Sequence, residues 1–239
     1  MLEVSGLSKR FRGLVAVKDV SFDIKRNEIV ALIGPNGAGK TTCFNLIAGA
    51  LKPSSGSVFL DGEDITGRAP ERIAVRGLVR TFQIVRPMRG MTVLENVMMG
   101  AFARTSDVAV AADIAAKAIS RIGLSAKAND LASSLTLPDL KMLELARALA
   151  ASPRVLLLDE VMAGLRPAER ERIASIVREL HAGGMTVLLI EHVMRVVMAL
   201  AGRVIVLHHG EKLAEGTPAE IGANPKVIES YLGTKTKLA

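Results

Sequence analysis

The sequence has one cysteine, one tyrosine and no tryptophan among its 239 residues. A single cysteine, Cys43, excludes an intramolecular disulfide, and its apolar neighbours predict a buried, reduced thiol of the kind found in cytosolic proteins. Aromatic residues make up only 3% of the chain, which leaves few side chains for the base-stacking surfaces that bind single-stranded nucleic acid. No apolar run reaches the ~18 residues of a membrane-spanning helix, and the first residues do not predict a signal peptide. We therefore expect any membrane role to be exerted through a partner.

Hydrophobic content and charge set the broad class of the chain. Hydrophobic residues make up 49% of the sequence, enough to bury a substantial core at this length. The net charge of +7 is compatible with anionic partners such as nucleic acid or lipid headgroups, but it equally fits a surface with extra lysine and arginine. We favour the second interpretation, a folded domain with an ordinary basic surface.

Short apolar runs rich in valine, isoleucine and leucine alternate with helix-length stretches. They lie at 28–34, 155–160, 185–191 and 203–209. Because continuous apolar strands are buried on both faces, the runs predict a parallel sheet covered by helices. Segments 14–24 and 56–65 alternate as antiparallel strands do, with a turn at Asp61-Gly62 in the second. Residues 92–151 instead show alanine-rich helical periodicity, which predicts a helical insert with helices at 92–102, 108–124 and 137–151.

A glycine-rich loop follows the first buried run. "GPNGAGKT", from Gly34 to Thr41, matches the G-x-x-x-x-G-K-[ST] pattern, with a strand before it and a helix after it. The glycines allow successive backbone N–H groups to point at one anion, and the helix N-terminus adds its positive end. Lys40 is expected to meet the β- and γ-phosphates, and the Thr41 hydroxyl to ligate Mg²⁺. The pattern predicts a nucleoside triphosphate site.

Two acidic residues end the second buried run. "VLLLDE" places Asp159 and Glu160 at the carboxyl end of a central strand, where ligands of open α/β sheets bind. We expect Asp159 to hold magnesium through water and Glu160 to polarise the attacking water as general base. Acids at a strand end also occur as ordinary capping residues, but the phosphate loop favours the catalytic interpretation.

Two further polar residues gain meaning from their order along the chain. Gln83 in "RTFQ" follows a short strand, where its amide is placed to contact both magnesium and the attacking water. His192 in "LLIEH" follows the next strand, where its imidazole is placed to reach the γ-phosphate. Taken singly, such residues are more often structural than catalytic.

The order of these motifs resembles that of the nucleotide-binding subunit of an ATP-binding cassette (ABC) transporter. It runs from the phosphate loop through "RTFQ", "ARAL", "VLLLDE" and "AGLRP" to "LLIEH", and it covers nearly the whole chain. "LVRTFQ", "MTVLENVMMG" and the tail "GTPAEIGANPKVIESYLG" are similar to the branched-chain amino acid importer subgroup, of which urea and amide importers are close relatives.

The resemblance implies an α/β fold with a P-loop NTPase core and a parallel sheet, an N-terminal antiparallel β-subdomain and an inserted α-helical subdomain. The whole chain, 1–239, is expected to be one ABC ATPase domain. Its nucleotide-binding core would comprise 1–85 and 152–239, and its helical subdomain would be 86–151.

The resemblance also assigns roles to individual residues. It places Phe11 against the adenine ring, Asp159 and Glu160 in the Walker B and base roles, His192 as the switch histidine, and Gln83 in the loop that senses the transmembrane partner. The phosphate loop then comprises Gly34, Pro35, Asn36, Gly37, Ala38, Gly39, Lys40, Thr41 and Thr42. The implied cofactors are ATP and Mg²⁺.

The stretch 135–139 departs from the family pattern. The family signature, typically L-S-G-G-Q, caps the γ-phosphate held by the opposite subunit. Here the corresponding residues are Leu135, Thr136, Leu137, Pro138 and Asp139. Pro138 has no N–H to donate and Asp139 brings a carboxylate near an anion, so one interpretation is a heterodimer with one strong and one weakened ATP site. The other is that Thr136 and the helix dipole suffice, because each lost N–H contact is worth only about 0.5–1.5 kcal/mol.

The resemblance implies an ATPase that energises a membrane importer, working with a second ABC ATPase subunit and transmembrane permeases at the cytoplasmic face of the membrane. A periplasmic solute-binding protein would take part indirectly, and no nucleic acid is expected. The alternatives are a urea or amide importer, a soluble ABC ATPase acting on nucleic acid or ribosomes, and a nucleotide sensor without turnover. The last is disfavoured by Glu160, and the soluble class usually joins two cassettes or carries a coiled-coil insert. The sequence names neither the solute nor the partners.

Overall fold

The computed structural model describes residues 1–82 and 86–232. Its strands are Leu2–Phe11 (β1), Leu14–Ile24 (β2), Ile29–Ile33 (β3), Ser55–Leu60 (β4), Glu63–Asp64 (β5), Leu78–Arg80 (β6), Val155–Asp159 (β7), Thr186–Ile190 (β8), Arg203–His208 (β9) and Glu211–Gly216 (β10). Its α-helices are Lys40–Ile47 (α1), Pro70–Val75 (α2), Val93–Ala101 (α3), Val108–Arg121 (α4), Leu137–Ala150 (α5), Pro167–Ala182 (α6), Met194–Leu200 (α7), Pro218–Ala223 (α8) and Pro225–Leu232 (α9). Two short 3₁₀ turns cover Ser125–Lys127 and Ala132–Ser134. None of the described helices is long and apolar enough to cross a bilayer.

The chain divides into two compact units. The first unit comprises residues 1–69 and 186–239, and the second comprises residues 70–185. This division differs from the boundaries at 86 and 151 that the sequence suggests for the helical subdomain, which stay a prediction.

Two sheets form the β-structure of the first unit. One is antiparallel, in the order β2-β1-β4-β5, and the other contains β10-β9-β3-β8. The strand β3 pairs in parallel with both β8 and β9, and all of its residues are buried. The predicted turn at Asp61-Gly62 is confirmed: both residues have positive φ, 51° and 81°, and they join the paired residues Leu60 and Glu63. This is the backbone that a two-residue hairpin turn requires.

The second unit contains the helices α2 to α6 and the strands β6 and β7. The strands β6 and β7 are parallel, and α3, α4 and α5 pack against one another. The helices α3 and α4 start at side-chain caps, Thr92 with Glu95 and Asp107, as helix N-termini in water commonly do. A Cβ at Gly100 would lie 2.1 Å from the Arg147 carbonyl oxygen, so glycine permits the close approach of α3 to α5.

Most predicted elements are confirmed. The buried runs form β3, β7, β8 and β9, and the three predicted helices correspond to α3, α4 and α5. Strand β1 was not predicted from the sequence, because Gly6 interrupts the alternation of its apolar residues. In the structure, its pairing with β2 shifts register between Val4 and Leu7. The α/β fold class is confirmed.

Candidate nucleotide-binding site

The phosphate loop leaves β3 and continues into the first residues of α1. Gly34 has φ 152°, and a Cβ there would lie 2.2 Å from the Leu207 carbonyl oxygen. Gly39 caps α1 in a left-handed conformation, φ 99°, where a Cβ would lie 2.5 Å from the Ala16 carbonyl oxygen. Both positions therefore require glycine, and the tight curl of the loop follows from them.

Lys40 folds back over the loop that precedes it. Its side chain is buried, and Nζ donates hydrogen bonds to the carbonyl oxygens of Gly34 at 2.7 Å and Pro35 at 3.0 Å. No acidic residue lies in the first turn of α1, and no side chain caps its N-terminus. The Lys40 ammonium group and the positive N-terminus of the helix thus lie at the same loop, an arrangement that suits a phosphate. Thr41, the next residue, is exposed.

The first unit carries two other residues of the predicted site. Phe11 ends β1 opposite Leu14 at the hairpin tip, with 40% of its surface exposed and the Lys9 ammonium 5.2 Å from its ring centroid. His192 is exposed two residues beyond the end of β8, and Glu191, which precedes it, is buried. Glu191 was not among the predicted site residues. An acid directly after a buried strand is a sequence signal that would have identified it as a further candidate.

The side chain of Tyr231 in α9 lies near the start of the phosphate loop. Burial raises the pKa of the Tyr231 hydroxyl, and a hydrogen bond from the Gly34 backbone opposes part of that rise. The sequence offered no signal for this contact, because the two residues are far apart along the chain.

The second unit holds the acidic end of β7. The strand is fully buried, and so is Asp159 at its end. Its Oδ2 accepts a hydrogen bond from Arg80 Nη2 at 2.6 Å, while Oδ1 has no hydrogen-bond partner among the described residues. Glu160 follows in a left-handed conformation, φ 47°, which turns the chain sharply out of the strand. Sequence reasoning missed Arg80, although it stands in the quoted "RTFQ" motif.

The stretch 135–139 forms the N-terminus of α5. Thr136 is the extended N-cap and Pro138 occupies the first turn, as expected for a proline at a helix start. Asp139 is buried, and its Oδ2 accepts hydrogen bonds from Lys127 Nζ and the Thr136 hydroxyl, both at 2.5 Å. Leu137 is 46% exposed. The Asp139 carboxylate is therefore paired within the chain, and the expectation that it lies near a bound anion stays a prediction.

The pKa of Asp139 reflects two opposing effects. Burial of its carboxyl group would raise the pKa, but the hydrogen bonds from Lys127 and Thr136 and the charge of Lys127 outweigh burial and hold the pKa below its usual value. Asp139 is thus ionised at neutral pH.

Gln83 lies outside the described residues. Within the described part of the chain, no three or more histidine, cysteine or acidic side chains group together as a preformed metal centre.

Comparison with known proteins decides the family. The model of the ABC transporter family matches residues 17–163, and that of the branched-chain amino acid ATP-binding cassette transporter matches residues 211–236. The chain belongs to the ABC transporter family. As a member of that family it binds nucleotide and is an ATPase.

Similar proteins cover this ABC cassette almost from end to end. The high-affinity branched-chain amino acid transport ATP-binding protein LivG of Salmonella typhimurium is 43% identical, with 98% of each chain aligned. The corresponding protein BraF of Pseudomonas aeruginosa is 40% identical over the same share of both chains. The crystal structure of a nucleotide-free ATP-binding cassette from an ABC transporter superposes with a TM-score of 0.90 at 31% identity, covering 98% of this chain and 99% of the other.

Proposed function

We propose that the chain is the ATP-hydrolysing subunit of a membrane importer for branched-chain or related amino acids. Support comes above all from the phosphate loop, whose glycine geometry and inturned lysine suit a nucleotide phosphate. The similarity to LivG and BraF over 98% of the chain supports the class of solute.

The nucleotide contacts follow from the first unit. The exposed ring of Phe11 is suited to stack on adenine, which is tolerant of base identity because every base has a π-face. The loop from Gly34 to Thr42 would hold the phosphates by backbone N–H groups and by the Lys40 ammonium. Because Lys40 already binds two loop carbonyls, a phosphate would exchange for one of them without a large movement of the side chain.

Mg²⁺ would be held by oxygen atoms of Thr41 and Gln83, and by Asp159 through water. The unpartnered Oδ1 of Asp159 fits this role, since a buried carboxylate oxygen without a donor is costly unless a cation or ordered water satisfies it. When bound, the ion would neutralise charge on the β- and γ-phosphates. Glu160 would orient and deprotonate the attacking water, and His192 would hydrogen-bond the γ-phosphate.

Replacement of the proposed base tests the catalytic assignment. We expect Glu160→Gln to lower phosphate release from the assembled transporter at least about 100-fold, in the range that general bases contribute, and to leave ATP affinity within about twofold. A suitable control is Glu171→Gln, because Glu171 is an exposed residue of α6 paired with Arg178. Hydrolysis that persists in the Glu160 variant would reject the assignment.

Uptake measurements test the solute. Deletion of the gene for this chain should abolish high-affinity uptake of leucine, isoleucine and valine. Expression of the wild-type chain should restore the uptake, and expression of the Glu160→Gln variant should not. Loss of urea or short-amide uptake with normal leucine uptake would instead assign the chain to that related class of importer.

The partners proposed for the chain are a second cassette, transmembrane permeases and, indirectly, a periplasmic solute-binding protein. This arrangement would place the chain at the cytoplasmic face of the membrane. Among the two cassette pairings, we favour a heterodimer, because Pro138 and the internally paired Asp139 leave the N-terminus of α5 poorly suited to cap a partner's γ-phosphate.

Two measurements separate the heterodimer from the homodimer. The Glu160→Gln chain with ATP and Mg²⁺ should stay monomeric by light scattering and dimerise only with a cassette that carries an intact signature. In the assembled transporter, Leu137→Gly combined with Pro138→Gly should raise the ATPase rate. A stable homodimer together with an unchanged rate would contradict the weakened site.

A further inference from the structure

The two oxygens of the Asp159 carboxylate have different surroundings. Oδ2 is 2.6 Å from Arg80 Nη2, whereas Oδ1 is buried and unpartnered among the residues that the structure describes. The side chains are 9% and 1% exposed for Arg80 and Asp159, respectively, so solvent barely screens this ion pair. One oxygen is thus fixed and the other is left for a ligand.

Sheet register holds Arg80 in this position. Arg80 ends β6 and pairs with Leu157 of the parallel strand β7, two residues before Asp159. The next residue, Thr81, ties the strands beyond the last pair: its N–H donates to the Leu157 carbonyl at 2.9 Å, and its hydroxyl accepts from the Asp159 N–H at 3.3 Å. The guanidinium carbon also lies 5.6 Å from the Phe82 ring centroid. The donor is therefore held by backbone and ring contacts on one side and by the carboxylate on the other.

A fixed arginine affects a carboxylate in two ways. A charge-assisted hydrogen bond locks the rotamer of the carboxyl group, and the positive charge offsets the cost of burying the negative one. Metal ligands commonly depend on such outer partners, whose removal costs about 10–100-fold in metal affinity. Lysine is a poor substitute, because its ammonium lacks the planar geometry of guanidinium.

We propose that Arg80 is a positioning residue that holds Asp159 by Oδ2 and thereby presents Oδ1 to the divalent cation that accompanies ATP. This rests on the proposed role of Asp159 as the magnesium carboxylate. Arg80 itself contacts neither nucleotide nor cation in this role. Its removal should weaken the dependence of nucleotide binding on the cation and spare the binding of free ATP.

The test compares ATP affinity in Mg²⁺ with ATP affinity in EDTA for the full chain, measured by equilibrium binding before turnover. The ratio of the two affinities measures how much the cation strengthens ATP binding. We expect Arg80→Met to lower this ratio about 10-fold and to change affinity in EDTA less than about twofold. Arg80→Lys should recover part of the ratio. The electron paramagnetic resonance signal of Mn²⁺, used in place of Mg²⁺ with ATP, should show the same order of affinities.

Arg203→Met provides a matched control. Arg203 is also a partly buried arginine, and among the described residues it pairs with the carboxylates of Glu28 and Glu215 rather than with Asp159. This variant should unfold at a lower temperature and keep the wild-type ratio. If Arg80→Met does not fold, Arg80→Lys and its thermal unfolding curve carry the test.

Each outcome has a distinct meaning. An unchanged ratio in both Arg80 variants would reject the positioning role, and a raised ratio would show that Arg80 competes with the cation for the carboxylate, which also rejects it. Asp159→Asn separates the two proposals. If Asp159→Asn leaves the ratio unchanged, the magnesium role of Asp159 is rejected. If Asp159→Asn lowers the ratio to about one while Arg80→Met leaves it unchanged, only the inference about Arg80 is rejected.

Discussion

The N-termini of α1 and α5 lie in two motifs that share a purpose in ABC transporters, binding phosphate, but they are built in opposite ways. At α1 a left-handed glycine caps the helix, no acid lies in the first turn, and a lysine folds over the loop. At α5 the cap is Thr136, a proline follows, and Asp139 places a negative charge in the first turn. The positive end of α1 thus has no acidic side chain of its own helix beside it, whereas that of α5 is matched by its own carboxylate.

The difference shows how strongly geometry restricts each motif. In the phosphate loop, neighbouring carbonyls exclude any side chain at Gly34 and Gly39. At the start of α5, ordinary helix-start residues suffice to form the helix, so the glycines of the usual signature are not needed for folding. Their loss therefore does not alter the fold of this chain, and under the proposed function it bears on the capping of a partner's nucleotide.

The largest expected effect comes from breaking the phosphate loop. Gly39→Ala places a Cβ 2.5 Å from the Ala16 carbonyl oxygen at a φ of 99°, so we expect a loss of about 3 kcal/mol in the free energy of unfolding and no measurable ATP binding. Chemical denaturation and nucleotide titration measure these two quantities. Gly90→Ala is the control, because a Cβ there meets nothing within 4 Å; equal behaviour of the two variants would contradict the geometric requirement.

A smaller effect is expected from unpairing the acid of α5. Lys127→Met leaves the buried Asp139 carboxylate with the Thr136 hydrogen bonds alone, and it should cost about 1–2 kcal/mol in the free energy of unfolding. Lys117→Met is the control, since Lys117 forms an exposed pair with Asp113 on α4. Equal stability of Lys127→Met and the wild type would show that the pair does not stabilise α5.

The same carboxylate makes stability depend on pH. The pKa of Asp139 is lower in the folded chain than its usual value of 3.8, so its ionisation stabilises the fold above that value. This contribution should disappear as the pH falls through the lower pKa of the folded state. The difference in unfolding free energy between the wild type and Asp139→Asn should therefore be full at pH 6 and shrink below pH 4. A difference that grows in acid would reverse the assigned direction.

The smallest effect concerns the thiol just beyond the phosphate loop. Cys43 is fully buried in α1, and burial raises its pKa to about 12. A thiol reagent such as Ellman's reagent should therefore react with Cys43 only on unfolding, at a rate that follows denaturant concentration. The Gly39→Ala variant should react faster, which sharpens the contrast between loop geometry and helix stability. Rapid reaction of the native wild type would contradict the buried position.

Much of the fold could be predicted from local patterns. Buried strands, the turn at Asp61-Gly62 and the helices α3 to α5 depend on residues close in sequence, and their periodicity was sufficient to identify them. The short contacts around the candidate site could not be predicted in this way. Arg80 binds Asp159 from 79 positions away, and the partner of Asp139 is Lys127, one of many surface lysines.

The sequence by itself determined the phosphate loop, the acidic end of β7 and the family, because glycine, lysine and acidic residues at fixed spacing have few other physical uses. Only the tertiary structure decided which charges are paired. Pairing depends on the register of β6 with β7 and on the approach of the turn at Lys127 to the start of α5, and neither leaves a local pattern. Long-range packing thus determined that one oxygen of Asp159 has no hydrogen-bond partner among the described residues and that Asp139 is paired with Lys127.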